Sequence, residues 1–126
     1  MGRIVLTKWK KKIMQSFKLV NKANELYDYS FTYILNKMPN KAKTFRISLE
    51  TELYELIHNI YRTNINYDRK KIRNKYQKEA LVNLSALDLI IGLIGKYKYV
   101  KIKRVHGFLG ILNDTKKMMY GWIKEQ

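Results

Sequence analysis

ALVNLSALDLIIGLIGK, residues Ala80 to Lys96, is the most apolar stretch of the chain. Wound at about 3.6 residues per turn, it places Ala80, Leu84, Leu87, Ile91 and Ile94 on one face, an ordinary core stripe. Val82, Ala86, Leu89 and Leu93 form a second row roughly 180 to 240° from Ala80, and Ile90 helps to join the two rows. Ser85, Asp88, Gly92, Gly95 and Lys96 leave a narrow polar strip, interrupted by Leu81. An apolar arc this wide asks for cover from two directions. The rest of the domain is one cover, and a second subunit is the expected other.

Working outward, 126 residues with one Pro and six Gly fit a single compact domain with a real core. The absence of cysteine rules out disulfides and Cys-based zinc sites, which favours a reducing, cytoplasmic setting. Lys8, Lys10, Lys11 and Lys12 interrupt the only candidate for a leader segment, so an unprocessed soluble protein is expected. The apolar run is short of a membrane span and carries Asn83 and Asp88, so no membrane crossing is expected.

Charge is the strongest global signal. The chain has 26 Lys and Arg against 10 Asp and Glu, a formal net charge of +16. Such a surface attracts polyanions, and nucleic acid is the leading partner class. Codon bias in an AT-rich genome would enrich Lys, Asn, Ile and Tyr, but it would not explain the scarcity of acids.

Along the chain, Arg3 to Lys22 holds seven basic residues and no acid. Trp9, Ile13, Phe17 and Val20 recur at steps of three and four, which predicts an amphipathic helix. Residues 1–20 read as a basic N-terminal segment: a helical extension, the early part of the first helix, or a basic arm that could lie on a membrane surface. Residues 21–126 form the domain proper. Ala23, Leu26, Tyr27, Ser30, Phe31, Ile34 and Leu35 continue an interior stripe to Lys37, and Met38-Pro39-Asn40 ends it, because the residue before proline is pushed out of the helical region. A second helix is expected within Thr44 to Ile65, with Thr44 or Ser48 as its cap. Leu49, Leu53, Leu56, Ile57 and Ile60 face inward, and Glu50, Glu52 and Glu55 lie in the early turns. Asn64 to Asp68 reads as a turn. The basic run Arg69 to Lys78 then leads to the opening helix, which weakens at Gly95 to Tyr99. The last helix, about Lys101 to Lys124, carries Val105, Phe108, Leu109, Leu112, Met119, Trp122 and Ile123 inward. Only Tyr97 to Ile102 is ambiguous between helix and strand. The fold expected is all-α, an antiparallel up-down-up-down four-helix bundle with a basic N-terminal helical extension.

No catalytic constellation is legible. His58 and His106 are the only histidines; His58 has a single carboxylate, Glu55, three residues before it, His106 has none, and neither has a second histidine three or four residues away. The Arg-to-His spacing of small helical HEPN ribonucleases is missed by Arg46, Arg62 and Arg104. Glu50 and Glu52 point in different directions on a helix, and no glycine-rich phosphate loop is present. Neither a metal nor a cofactor is expected, nor is an enzyme.

What remains is binding. Arg69, Lys70, Lys71, Arg73, Lys75 and Lys78 precede the opening helix, and Lys96, Lys98, Lys101, Lys103 and Arg104 follow it. Tyr67, Tyr76, Tyr97 and Tyr99 are interleaved with these charges, offering flat faces on which unpaired bases could stack while the cations meet phosphates. Both clusters are therefore candidate nucleic-acid-binding residues, and Val82, Ala86, Leu89 and Leu93 are candidate oligomer-interface residues.

Several of these residues also carry a resemblance. Met38-Pro39-Asn40-Lys41 closing the first helix, Phe45 near the start of the second, Asn64 at its end, Leu84 and Leu87 in the third, and the terminal pattern Asp114, Lys117, Met118, Gly121 and Trp122 together resemble a known family. It is the accessory variability determinant of diversity-generating retroelements, within the broader four-helix-bundle family that includes proteins encoded in 23S rRNA intervening sequences. The likeness spans about Asn21 to Lys124; where the family has glycines, this chain has Lys116 and Tyr120. The resemblance implies a non-enzymatic helical protein that assembles as a ring-like homopentamer. It also implies binding to the retroelement's reverse transcriptase and to template-repeat RNA and cDNA during error-prone cDNA synthesis. The alternatives are an rRNA-associated bundle without a polymerase partner and a peripheral membrane protein using its basic N-terminal helix.

Overall fold

In the computed structural model, the backbone is described for residues 2–124 and side chains for residues 15–124. Four long helices carry the chain: α1 (Gly2–Tyr29), α2 (Lys43–Ile65), α3 (Lys70–Lys96) and α4 (Ile102–Lys124). No strand occurs among the described residues, and Tyr97 to Lys101 is a turn. No helix among them is long and apolar enough to cross a membrane.

The core is built from one stripe per helix. Leu19, Ala23, Leu26 and Ile34 meet Leu49, Leu53, Leu56 and Ile60 of α2, the Ala80 to Ile94 stripe of α3, and Val105, Phe108, Leu112, Met119 and Trp122 of α4. Ala80, Leu84, Leu87, Ile91 and Ile94 are all buried, as the heptad-like spacing requires.

The first segment departs from its expected stripe at two aromatics, while Ala23, Leu26, Ser30, Ile34 and Leu35 are buried as expected. Phe17 and Phe31 are 64% and 53% exposed, whereas Leu19 is fully buried. Leu19, Ala23, Leu26 and Ser30 step by three and four residues, and at 100° per residue Phe17 lies on the far side from Leu19. Trp9 and Ile13 lie outside the residues whose side chains are described. The helix crosses positions 20 and 21 without a break, and Ser16 donates to Asn64 Oδ1 at 2.5 Å.

After Tyr29 the helix loosens into a π turn at Ser30–Ile34, then tightens into a 3₁₀ turn at Leu35–Lys37. Met38 leaves in the extended region at φ −78°, ψ 138°, as the following proline demands. A 3₁₀ turn at Asn40–Ala42 winds directly into α2. Neither Thr44 nor Ser48 caps that helix: Ala42 holds the N-cap position with no side-chain bond. The turn itself serves the first amides, with Ala42 N–H donating to Pro39 O and Lys43 N–H to Asn40 O.

Polar groups inside the core find specific partners. Ser30, Thr63 and Thr115 are buried and donate to the carbonyls of Leu26, Asn59 and Ile111. Between α2 and α3, Asn59 Nδ2 donates to Asn83 Oδ1 at 2.7 Å, and Asn83 Nδ2 donates to Glu52 Oε2 at 2.8 Å. Arg62 extends the chain, donating to Asn59 Oδ1 at 3.0 Å. Lys116 of α4 pairs with Asp88 of α3.

Candidate nucleic-acid interface

Arg69 holds the N-cap position of α3, and Lys70, Lys71, Arg73, Lys75 and Lys78 lie within its first three turns. The expectation that this run precedes the helix is corrected: Lys and Arg are good helix formers and wind in continuously from the apolar segment. With no acid in the first turn, these cations stand at the positive end of the helix dipole, an arrangement that an incoming anion relieves. Arg73 alone is half-buried; it donates to Tyr67 O at 2.8 Å and lies 5.0 Å from the Tyr67 ring centroid. Tyr76 is half-buried between Arg62 and Lys75, at 5.8 and 5.7 Å from its ring. Both rings therefore already carry a cation.

On α3, steps of three, four and seven residues align Lys71, Lys75, Lys78, Val82, Leu89 and Lys96 within a narrow strip. All six are exposed, Val82 and Leu89 at 66% and 65%. Ala86 and Leu93 flank the strip and are half-buried. The exposed strip of α3 thus runs from basic through apolar to basic.

The second cluster gathers where α3 turns into α4. Tyr97 N–H donates to Leu93 O, Lys98 N–H to Gly95 O and Tyr99 N–H to Ile94 O, a Schellman turn. Its left-handed position is held by Lys98 at φ 57°, where glycine is usual. Lys96, Lys98, Lys101 and Lys103 are exposed. Arg104 is half-buried with its guanidinium 4.3 Å from the Tyr33 ring centroid. Tyr97, Tyr99 and Phe45 form a triangle of tilted rings 5.7 to 5.9 Å apart. Of the four tyrosines, Tyr97 is the most exposed, at 53%, with Lys96 Nζ 5.9 Å from its ring centroid, and the other three are half-buried.

The two clusters are not brought together, because α3 with its 27 residues separates its ends by about 40 Å. The fold instead adds cations that lie far away in sequence. Contact of Phe45 with Tyr97 and Tyr99 sets the start of α2 beside the end of α3, and Lys43 and Arg46 of the first turn of α2 line a small cleft together with Glu50. Lys37, the last residue of the 3₁₀ turn Leu35–Lys37, joins Lys98, Lys101 and Arg104 around an open cleft of about 830 Å³. Sequence reading missed Lys37; the only hint was its place beside the Met38-Pro39 break. Among the described residues no member of either cluster forms an ion pair with an acid.

His58 packs against Tyr54 with ring centroids 4.0 Å apart, and His106 is exposed. No group of His, Asp and Glu suited to a metal occurs among the described residues. The arrangement offers cations and aromatic faces to an anionic polymer. No protein-family model, curated protein or solved structure matches the chain.

Proposed function

We propose that this chain is a non-enzymatic accessory protein of a diversity-generating retroelement, acting in the cytoplasm. It is an antiparallel up-down-up-down bundle that assembles into a ring-like homopentamer. It binds template-repeat RNA and cDNA on its basic surface, engages the reverse transcriptase, and supports mutagenic cDNA synthesis.

The observation that carries this reading is the exposed strip of α3. Val82 and Leu89 offer apolar area to another copy, while Lys71, Lys75, Lys78 and Lys96 lie in line with them at either end. Self-association through the apolar middle repeats the basic ends around the assembly and concentrates their field, which RNA then offsets. Contacts between the end of α2 and the start of α3, and between the start of α2 and the end of α3, support the antiparallel arrangement. The reverse transcriptase and the retroelement setting rest on the resemblance of the segment Asn21 to Lys124.

Co-purification of the tagged chain with the reverse transcriptase encoded beside it and its template-repeat RNA is the test. Recovery of both is expected. Recovery of RNA without polymerase would replace this reading by that of an rRNA-associated bundle, and recovery of neither would overturn it. Liposome flotation of the intact chain and of one lacking residues 3–20 separates the membrane alternative; a chain that floats only with that segment would favour it.

A further inference from the structure

The cleft between the 3₁₀ turn Leu35–Lys37 and the α3–α4 turn is lined by four cations, Lys37, Lys98, Lys101 and Arg104, and by no acid. At about 830 Å³ it has room for a whole small ligand rather than a single ion. Tyr99 and Ile102 give it an apolar wall.

Three features of the fold converge there. Lys98 occupies the left-handed position of the Schellman turn at φ 57°, so backbone strain is retained to place an ammonium in the lining where glycine would relieve it. The π turn of Ser30–Ile34, a distortion often associated with functional sites, carries Tyr33, on whose ring the Arg104 guanidinium lies. Tyr29 Oη donates to Arg104 O at 2.9 Å, its ring fitting against Gly107. Arg104 is therefore held at both its backbone and its guanidinium, and part of the site is ordered before any ligand arrives. The first turn of α4 opens at the cleft without an acid, adding its dipole to the field of the cations.

We propose that this cleft binds a nucleotide bearing several phosphates. The phosphates lie among Lys37, Lys98, Lys101 and Arg104, and the base rests against Tyr99 and Ile102. A free nucleoside triphosphate and the 5′-triphosphate end of an RNA share this chemistry. The inference rests on the nucleic-acid reading for the choice of a base-bearing polyphosphate, while the cation-lined cleft itself stands apart from it.

Titration of the full chain with ATP, a short 5′-triphosphate RNA, the same RNA with a 5′-hydroxyl, and inorganic tripolyphosphate tests it. Tighter binding of ATP, of the triphosphate RNA, or of both than of the last two probes is expected, and the tighter of the first two identifies the source. Lys98→Gly should weaken that binding about tenfold or more, the loss expected from one charge-assisted phosphate contact, while raising the melting temperature. Lys98→Arg should keep the affinity. Unchanged affinity in Lys98→Gly would overturn the site, and tripolyphosphate binding as tightly as ATP would overturn the nucleotide assignment. A Lys71→Glu, Lys75→Glu chain that loses long-RNA retention but binds ATP normally supports the cleft as a separate site. A wild-type chain that binds ATP but retains no template RNA sinks the accessory-protein reading and leaves the cleft standing.

Discussion

At the scale of single residues, the seam between α2 and α3 depends on Asn83, whose amide links Asn59 to Glu52 across two helices. Asn83→Ala should cost about 2 kcal/mol, because it leaves a buried amide of Asn59 and a half-buried carboxylate without their partner. Urea denaturation checks this, and a cycle with Asn59→Ala should show coupling of about 1 kcal/mol. Glycines divide by environment rather than by sequence. A Cβ on Gly107 would stand 2.1 Å from Tyr29 Oη, at the end of a rigid ring, so Gly107→Ala should destabilise by about 1–3 kcal/mol. Gly92 and Gly110 lie inside helices with nothing near an added Cβ. Gly92→Ala and Gly110→Ala should each stabilise by about 0.5–1 kcal/mol in the same measurement. Lys98 behaves as a third type: a non-glycine residue in a glycine conformation. Relief of about 1 kcal/mol in Lys98→Gly would raise the melting temperature by roughly 3–6 °C.

At the scale of elements, α3 joins two segments that differ sharply in composition. Its first three turns are basic and its remainder supplies the core stripe. Lys70 and Lys71 lie in the first turn, where the helix dipole disfavours positive charge. Lys70→Glu with Lys71→Glu should therefore stabilise the fold, by about 0.3–1 kcal/mol per site at low salt, while reducing RNA retention. Thermal melting and filter binding on one preparation check both signs; loss of stability together with RNA binding would point to a structural role for the lysines. Hydropathy falls abruptly at Lys78 and so hides the true start of α3 at Lys70, whereas helix propensity does not fall there: Lys, Arg, Gln and Glu sustain a helix nearly as well as Leu does. The opposite error occurs in α1, where the conspicuous aromatics Phe17 and Phe31 suggested a buried row. The smaller Leu19 takes the core position in line with Ala23 and Leu26, since α1 must fit beside both α2 and α4.

At the scale of the whole molecule, charge and apolar surface are arranged together. Among the described residues, the acids that form ion pairs, Glu25, Glu55 and Asp88, pair with Lys22, Arg62 and Lys116 and not with either basic cluster. RNA affinity should consequently fall steeply between 50 and 200 mM salt, by about 10³-fold or more if some six phosphates are contacted. Val82→Glu with Leu89→Glu should give a monomer by light scattering with an unchanged helical circular dichroism spectrum; an unaltered assembly would remove the α3 strip from the interface. The helices, the break at Met38-Pro39, the turn after Ile65 and the α3 and α4 core stripes were set by the sequence alone, because periodic burial and proline geometry act over a few neighbouring residues. Only the tertiary structure decided that Lys37 lies with Lys98, Lys101 and Arg104, that Asn59 meets Asn83, and that Tyr29 needs Gly107. Those pairs stand 24 to 78 positions apart. Their meeting depends on how the helices turn and pack against one another, which no local periodicity encodes.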